Sequence, residues 1–116
     1  MTQEKKVLLE KVGIACDEAI YRFSGNEEMF ERFLGKFLED PNYEKLKEAL
    51  EKKDYEEAFS AGHTLKGVTG NLAIKSVYDA LIPLVEALRH KEDADYEAMM
   101  TLVTARYMEV SAAIKE

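Results

Sequence analysis

Residues 62 to 71 read Gly-His-Thr-Leu-Lys-Gly-Val-Thr-Gly-Asn, placing a histidine, a lysine three positions later and three glycines in one short stretch. At about 100° per residue, with His63 at zero, Lys66 lies near −60°, Gly67 near +40° and Gly70 near −20°. Ala61, Leu65, Val68 and Leu72 gather on the opposite side, so one stripe packs while the other presents an imidazole, an ammonium and almost no other side chain. An exposed imidazole is mostly neutral at pH 7 and keeps a free nitrogen lone pair. That lone pair can attack phosphorus. A phosphoryl group on the ring would bring negative charge beside Lys66, and an ion pair at 4 Å is worth between ~1 kcal/mol in water and ~4 near a protein surface. Lys66 would therefore tune a phosphorylated state without creating it.

The glycines need an explanation. Each costs up to ~1 kcal/mol relative to alanine in a helix interior, so three could remove ~3 from a typical stability of ~5–15 kcal/mol. Either the helix ends, with Gly67 or Gly70 as a left-handed cap and Gly70-Asn71 as a turn, or another molecule approaches the backbone around His63 closely and a bare helical surface admits it. Close approach is the favoured expectation.

Other chemistries find little support. No P-loop, dinucleotide fingerprint or kinase glycine-rich loop is present, so there is no recognisable ATP site. Neither histidine follows a glutamate at the third position back, and one cysteine with two distant histidines makes no plausible zinc set, so no metal or other cofactor is expected. His90 stands in Arg89-His90-Lys91 at a helix end, where a cation suits the C-terminal dipole. No carboxylate is positioned in the sequence to polarise His63, although one could come from another helix.

The chain has 116 residues, 47% of them apolar, which suits one domain with a real core over residues 1–116. Its formal net charge of −7, from 23 acidic and 16 basic residues, argues against nucleic acid as a partner. Cys16, the only cysteine, reads as a small core residue in a reducing compartment. Without a secretory segment or an apolar run near the ~20 residues a bilayer requires, the expectation is a cytoplasmic protein with no membrane association.

Apolar residues recur at three- and four-residue spacing through nearly the whole chain, which predicts an all-helical protein. The expected helices cover about 3 to 11, 15 to 23, a longer one from Asn26, a short one after Asp40-Pro41, one from the Asp54/Glu57 capping box through His63, one over 75 to 90, and one opened by Asp93 to Asp95. The third should bury Met29, Phe30, Phe33, Leu34, Phe37 and Leu38. The last has its apolar positions at Met99, Leu102, Val103, Ala105, Tyr107, Val110 and Ile114. Pro83, inside the 75 to 90 segment, predicts a kink or break there. Short turns between such helices make an antiparallel up-and-down four-helix bundle with short additional N-terminal helices the economical fold.

The stretch His63-Thr64-Leu65-Lys66-Gly67, extended by Gly70-Asn71-Leu72, resembles histidine-containing phosphotransfer domains. Gly25-Asn26-Glu27-Glu28-Met29-Phe30, Phe33-Leu34 through Phe37-Leu38, and Asp54-Tyr55 also look like that family, so the resemblance covers most of the chain. It implies a phosphorelay intermediate that takes a phosphoryl group on His63 from a receiver-domain aspartate and passes it to another, Mg²⁺ belonging to the receiver. Lys66 would stabilise the phosphate, and Phe59, Gly67, Gly70 and Asn71 would dock the partner. Implied partners are response-regulator receivers, with a hybrid histidine kinase as a further candidate, and the chain itself would be a monomeric phosphocarrier without kinase activity of its own.

Three departures stand out. Ala73 occupies a position where many relatives have glycine, Phe59 one where a polar residue is commoner, and Pro83 bears on the following helix. Phe59 is read either as part of a hydrophobic docking patch or as buried beneath the N-terminal helices. A receiver-binding adaptor of the same shape that is never phosphorylated is the alternative function; the dimerising, phospho-accepting region of a sensor kinase is a third.

Overall fold

The computed structural model describes all of residues 1–116, in seven helices: α1 (Gln3–Lys11), α2 (Cys16–Arg22), α3 (Glu27–Phe37), α4 (Asn42–Glu51), α5 (Tyr55–Asn71), α6 (Lys75–Arg89) and α7 (Tyr96–Lys115). The cap residues read from the sequence start several of them. Asn26, Asp54 and Asp95 each accept a hydrogen bond from the backbone N–H three residues on, at 3.0, 3.2 and 3.0 Å. The reciprocal half of a capping box is missing at Asp54, whose own N–H donates to the Ala49 carbonyl. At α4 the boundary shifts by one residue: Pro41 precedes the first helical position, and Asp40 accepts from the Asn42 backbone N–H at 2.8 Å.

Three residues connect α4 to α5 and three connect α5 to α6. Links that short reach only ~10 Å, whereas α6 at 1.5 Å per residue is about 22 Å long, so consecutive helices must run antiparallel. The result is the expected bundle, with α5 between α4 and α6, and α7 on α6 closing against α4. Its first position is shared. Leu46 of α4 packs beside Gly62 in the first half of α5, while Phe33 and Phe37 of α3 line a groove with Val68 in the second half and Leu72 just past its end. Tyr43 and Phe37 meet Tyr107 of α7 with ring centroids 3.8 and 5.6 Å apart.

The expected stripe of α3 is only partly right. Phe30, Leu34 and Phe37 are buried, but Met29 and Phe33 remain 37% and 38% exposed and Leu38 is half-buried, because α3 packs on the short α2 and one end of the bundle rather than between two full helices. In α7 the buried line runs Met100, Val103, Val110, Ala113, leaving Leu102 and Ala105 in solvent. The break expected at Pro83 does not occur; α6 runs through it. Pro83 and Asp79 both face solvent, so the Asp79 carbonyl deprived of its donor can be hydrated.

The N-terminal helices are tied to the bundle by polar contacts with the α5–α6 corner and the end of α7. Ala15 donates its backbone N–H to the Ala73 carbonyl at 2.9 Å, and Ser76 Oγ donates to the Val12 carbonyl at 2.7 Å. Gly13 is required there, since its φ is +95° and a Cβ would lie 2.5 Å from that of Ser76. Ala73 adopts φ +54° at the end of α5, a left-handed corner where glycine would be unstrained. Cys16 is fully buried in the core, and burial pushes its thiol up to about 11.

Lys5 Nζ donates at 2.7 Å to the Ala113, Ile114 and Glu116 carbonyls, satisfying the open end of α7 with a cation. Lys5→Met should therefore lower the free energy of unfolding by about 1–2 kcal/mol, measured by urea denaturation, and speed amide exchange in the last turn of α7. An unchanged denaturation midpoint would show that the three bonds contribute nothing.

Candidate functional site

Helix α5 carries the candidate site. It continues from Tyr55 to Asn71 through Gly62, Gly67 and Gly70, so none of these glycines ends it and the capping explanation is excluded. Ala58, Ala61, Gly62, Leu65 and Thr69 are buried against the bundle, with Thr69 Oγ1 donating to the Leu65 carbonyl at 3.0 Å. His63 is thereby turned outward, exposed in mid-helix, and Lys66 lies half-buried one turn further.

The three glycines have three different surroundings. A Cβ at Gly62 would sit 3.3 Å from Val85 Cγ2 and 3.6 Å from a Leu46 methyl, so its small size admits the neighbouring helices. At Gly70 the Tyr78 ring occupies the space, with Cε2 3.1 Å from the would-be Cβ. Only Gly67 opens onto nothing within 4 Å. Packing within the chain therefore suffices for Gly62 and Gly70, whereas no neighbour in the chain calls for glycine at position 67. A leucine at Gly62 should cost about 1–3 kcal/mol by overpacking, read as a lower melting temperature; an undiminished melting temperature would mean that the α4–α5–α6 contact yields freely.

Phe59, one turn before His63, is half-buried, and its ring stacks on the imidazole with centroids 5.5 Å apart and planes 20° from parallel. It is not covered by the N-terminal helices. Its neighbours are Arg89, whose guanidinium carbon lies 5.1 Å from the ring centroid, and the walls of a groove of about 760 Å³ that includes Tyr55, Leu88 and Tyr96. Arg89 is held by Glu86 at 3.1 Å; that Arg89 hydrogen bond, with a second from His90, keeps the Glu86 carboxyl below its usual range. His90 is the cap of α6, 3.2 Å from Glu86.

No carboxylate oxygen lies within 4 Å of the His63 ring nitrogens, and none pairs with Lys66. The Lys66 ammonium stands instead over Tyr78, 5.9 Å from the ring centroid. Asn71, the last residue of α5, is exposed and lines the second groove with Phe23, Phe33 and Val68. Arg22 of α2 donates to the Gly70 carbonyl. The fold thus brings Phe59, His63, Lys66 and Gly67 onto one open face, and sets Gly70 and Asn71 at the N-terminal-helix end. Arg89 and Tyr78 were not anticipated from the sequence. Both come from α6, and no spacing along α5 can signal a side chain delivered across a helix interface.

The Hpt domain family model matches residues 28–113. The chain belongs to the Hpt domain family. No curated protein and no solved structure gives a match. Hpt domains are helical bundles that serve phosphotransfer in two-component signalling; they are phosphocarriers rather than kinases, and they interact with receiver domains in phosphorelays. Helix α5 presents an outward imidazole, an ammonium one turn away that no carboxylate pairs, and an unobstructed flank at Gly67. No helix is long and apolar enough to cross a membrane, and no group of three or more His, Cys, Asp or Glu side chains converges to hold a metal ion.

Proposed function

We propose that this Hpt domain is a phosphorelay intermediate whose phosphoryl group is carried on His63. A ring nitrogen attacks the phosphorus of a receiver's aspartyl phosphate; the N–P bond forms as the acyl O–P bond breaks, and the receiver's carboxylate leaves. The reverse reaction with a second receiver passes the group on. The transfer is an in-line displacement with little covalent work for the protein, so positioning and charge balance dominate. Lys66 supplies the charge balance, Gly67 gives the receiver's loops access, and Phe59 and Asn71 contribute docking surface. Gly70 acts mainly by seating Tyr78. The chain works as one monomeric domain.

The observation that carries this reading is the exposed His63 imidazole beside a glycine with nothing within 4 Å of its missing side chain. Incubation with a phosphorylated receiver tests it. The protein should acquire a label that is labile in acid and stable in alkali, and should surrender it to a second, unphosphorylated receiver. A chain that binds the receiver yet never takes the label would instead be an adaptor.

A further inference from the structure

Lys66 is the only cation assigned to the phosphoryl group, yet no carboxylate holds it. Its ammonium rests over the face of Tyr78, a half-buried residue of α6, 5.9 Å from the ring centroid. That ring reaches the surface of α5 because residue 70 is glycine, whose missing Cβ would stand 3.1 Å from Tyr78 Cε2. Two acidic side chains line the small cavity of about 250 Å³ beside Gly70 and Tyr78, and the one from α2 is Glu18. It is already engaged, 2.9 Å from Arg22 and 3.0 Å from Lys75, and the Lys75 hydrogen bond holds its carboxyl below the usual range. Asp79, the other acid there, is exposed and forms no ion pair.

An aromatic face attracts an ammonium through its quadrupole without cancelling the charge. A carboxylate in the same place would fix Lys66 equally well, but would neutralise it and repel an incoming phosphoryl group. We infer that Tyr78 is a positioning residue for the phosphotransfer: seated by Gly70, it holds Lys66 in place while leaving its charge free for the phosphoryl group on His63. This rests on the phosphocarrier reading, and it adds a residue from a second helix to the site. The Arg22–Glu18–Lys75 cluster keeps Glu18 occupied, and Asp79 makes no ion pair with Lys66.

Two measurements test it. In the wild-type protein, NMR should place the Lys66 ε-methylene protons upfield of lysines distant from any ring, and Tyr78→Leu should remove that displacement while Tyr78→Phe keeps it. An undisplaced Lys66 signal in the wild type would overturn the seating, whether or not His63 is ever phosphorylated. With a phosphorylated receiver at saturating concentration, Tyr78→Leu should slow labelling by about threefold, the scale of an exposed cation–π contact, with the half-saturating receiver concentration unchanged and Tyr78→Phe close to wild type. In a Lys66→Ala background the same Tyr78→Leu change should have no further effect. An equal loss in both backgrounds would show that Tyr78 acts on the fold and not through Lys66. Absence of label on the wild type would defeat the carrier reading and leave the NMR result standing.

Discussion

Replacing Gly67 with glutamine is expected to leave the protein at least as stable as before and to slow phosphoryl transfer from a receiver by more than about tenfold, a barrier of about 1.4 kcal/mol or more. The two halves of this expectation have separate origins. Nothing lies within 4 Å of the position a Cβ would take, and residue 67 is exposed within α5. Glutamine is a much better helix former than glycine, so the folded state should gain roughly 0.5–1 kcal/mol. The same side chain projects at about +40° from His63, one turn along the helix, into the space a receiver must enter. Thermal unfolding and a labelling time course on one sample measure both quantities. A stabilised protein that transfers at the wild-type rate would mean that the bare flank has no part in docking. At Gly62, where the space is already filled by Val85 and Leu46, the stability change has the opposite sign, so the pair of variants separates access from packing.

His63→Gln should abolish the acid-labile label altogether. The residue is exposed, and a surface replacement of this kind usually changes stability by no more than ~0.5 kcal/mol, so loss of label cannot be charged to unfolding. Glutamine retains hydrogen-bonding capacity but has no lone pair able to form a stable N–P bond. Receiver binding should survive within a few-fold, because Phe59, Gly67 and Asn71 are untouched. The comparison variant is His90→Gln. His90 caps α6 and lies 3.2 Å from Glu86, and its replacement should leave labelling intact. Label that persists in His63→Gln and vanishes in His90→Gln would reassign the acceptor.

The parts of the structure legible in the sequence were those set by periodicity and by local side-chain-to-backbone bonds. The seven helices, the caps at Asn26, Asp54 and Asp95, and the outward face of His63 all follow from residues within a turn or two of one another. What escaped depended on partners distant in the chain. Met29 and Phe33 carry the same apolar signal as Phe30 and Leu34, and only the absence of a second full helix beside α3 leaves them exposed. Gly62, Gly67 and Gly70 look alike in sequence, yet Val85 and Leu46 fill the space at Gly62, Tyr78 fills it at Gly70, and nothing fills it at Gly67. Pro83 predicts a kink or break by its chemistry, and with its solvent-facing position α6 continues without a break. The sequence leaves Phe59 open to burial or docking; the structure places it half-exposed, stacked on His63 and flanked by Arg89.

The most direct test of a phosphoryl group carried on the open face of α5 is to locate that group on the labelled protein. After incubation with a phosphorylated receiver, phosphorus-detected NMR on histidine-¹⁵N-labelled protein should show one phosphorus coupled to a single ring nitrogen, assigned to His63 through its contact with the Phe59 ring. A phosphorus signal coupled to His90, or bonded to a carboxylate oxygen, would contradict it.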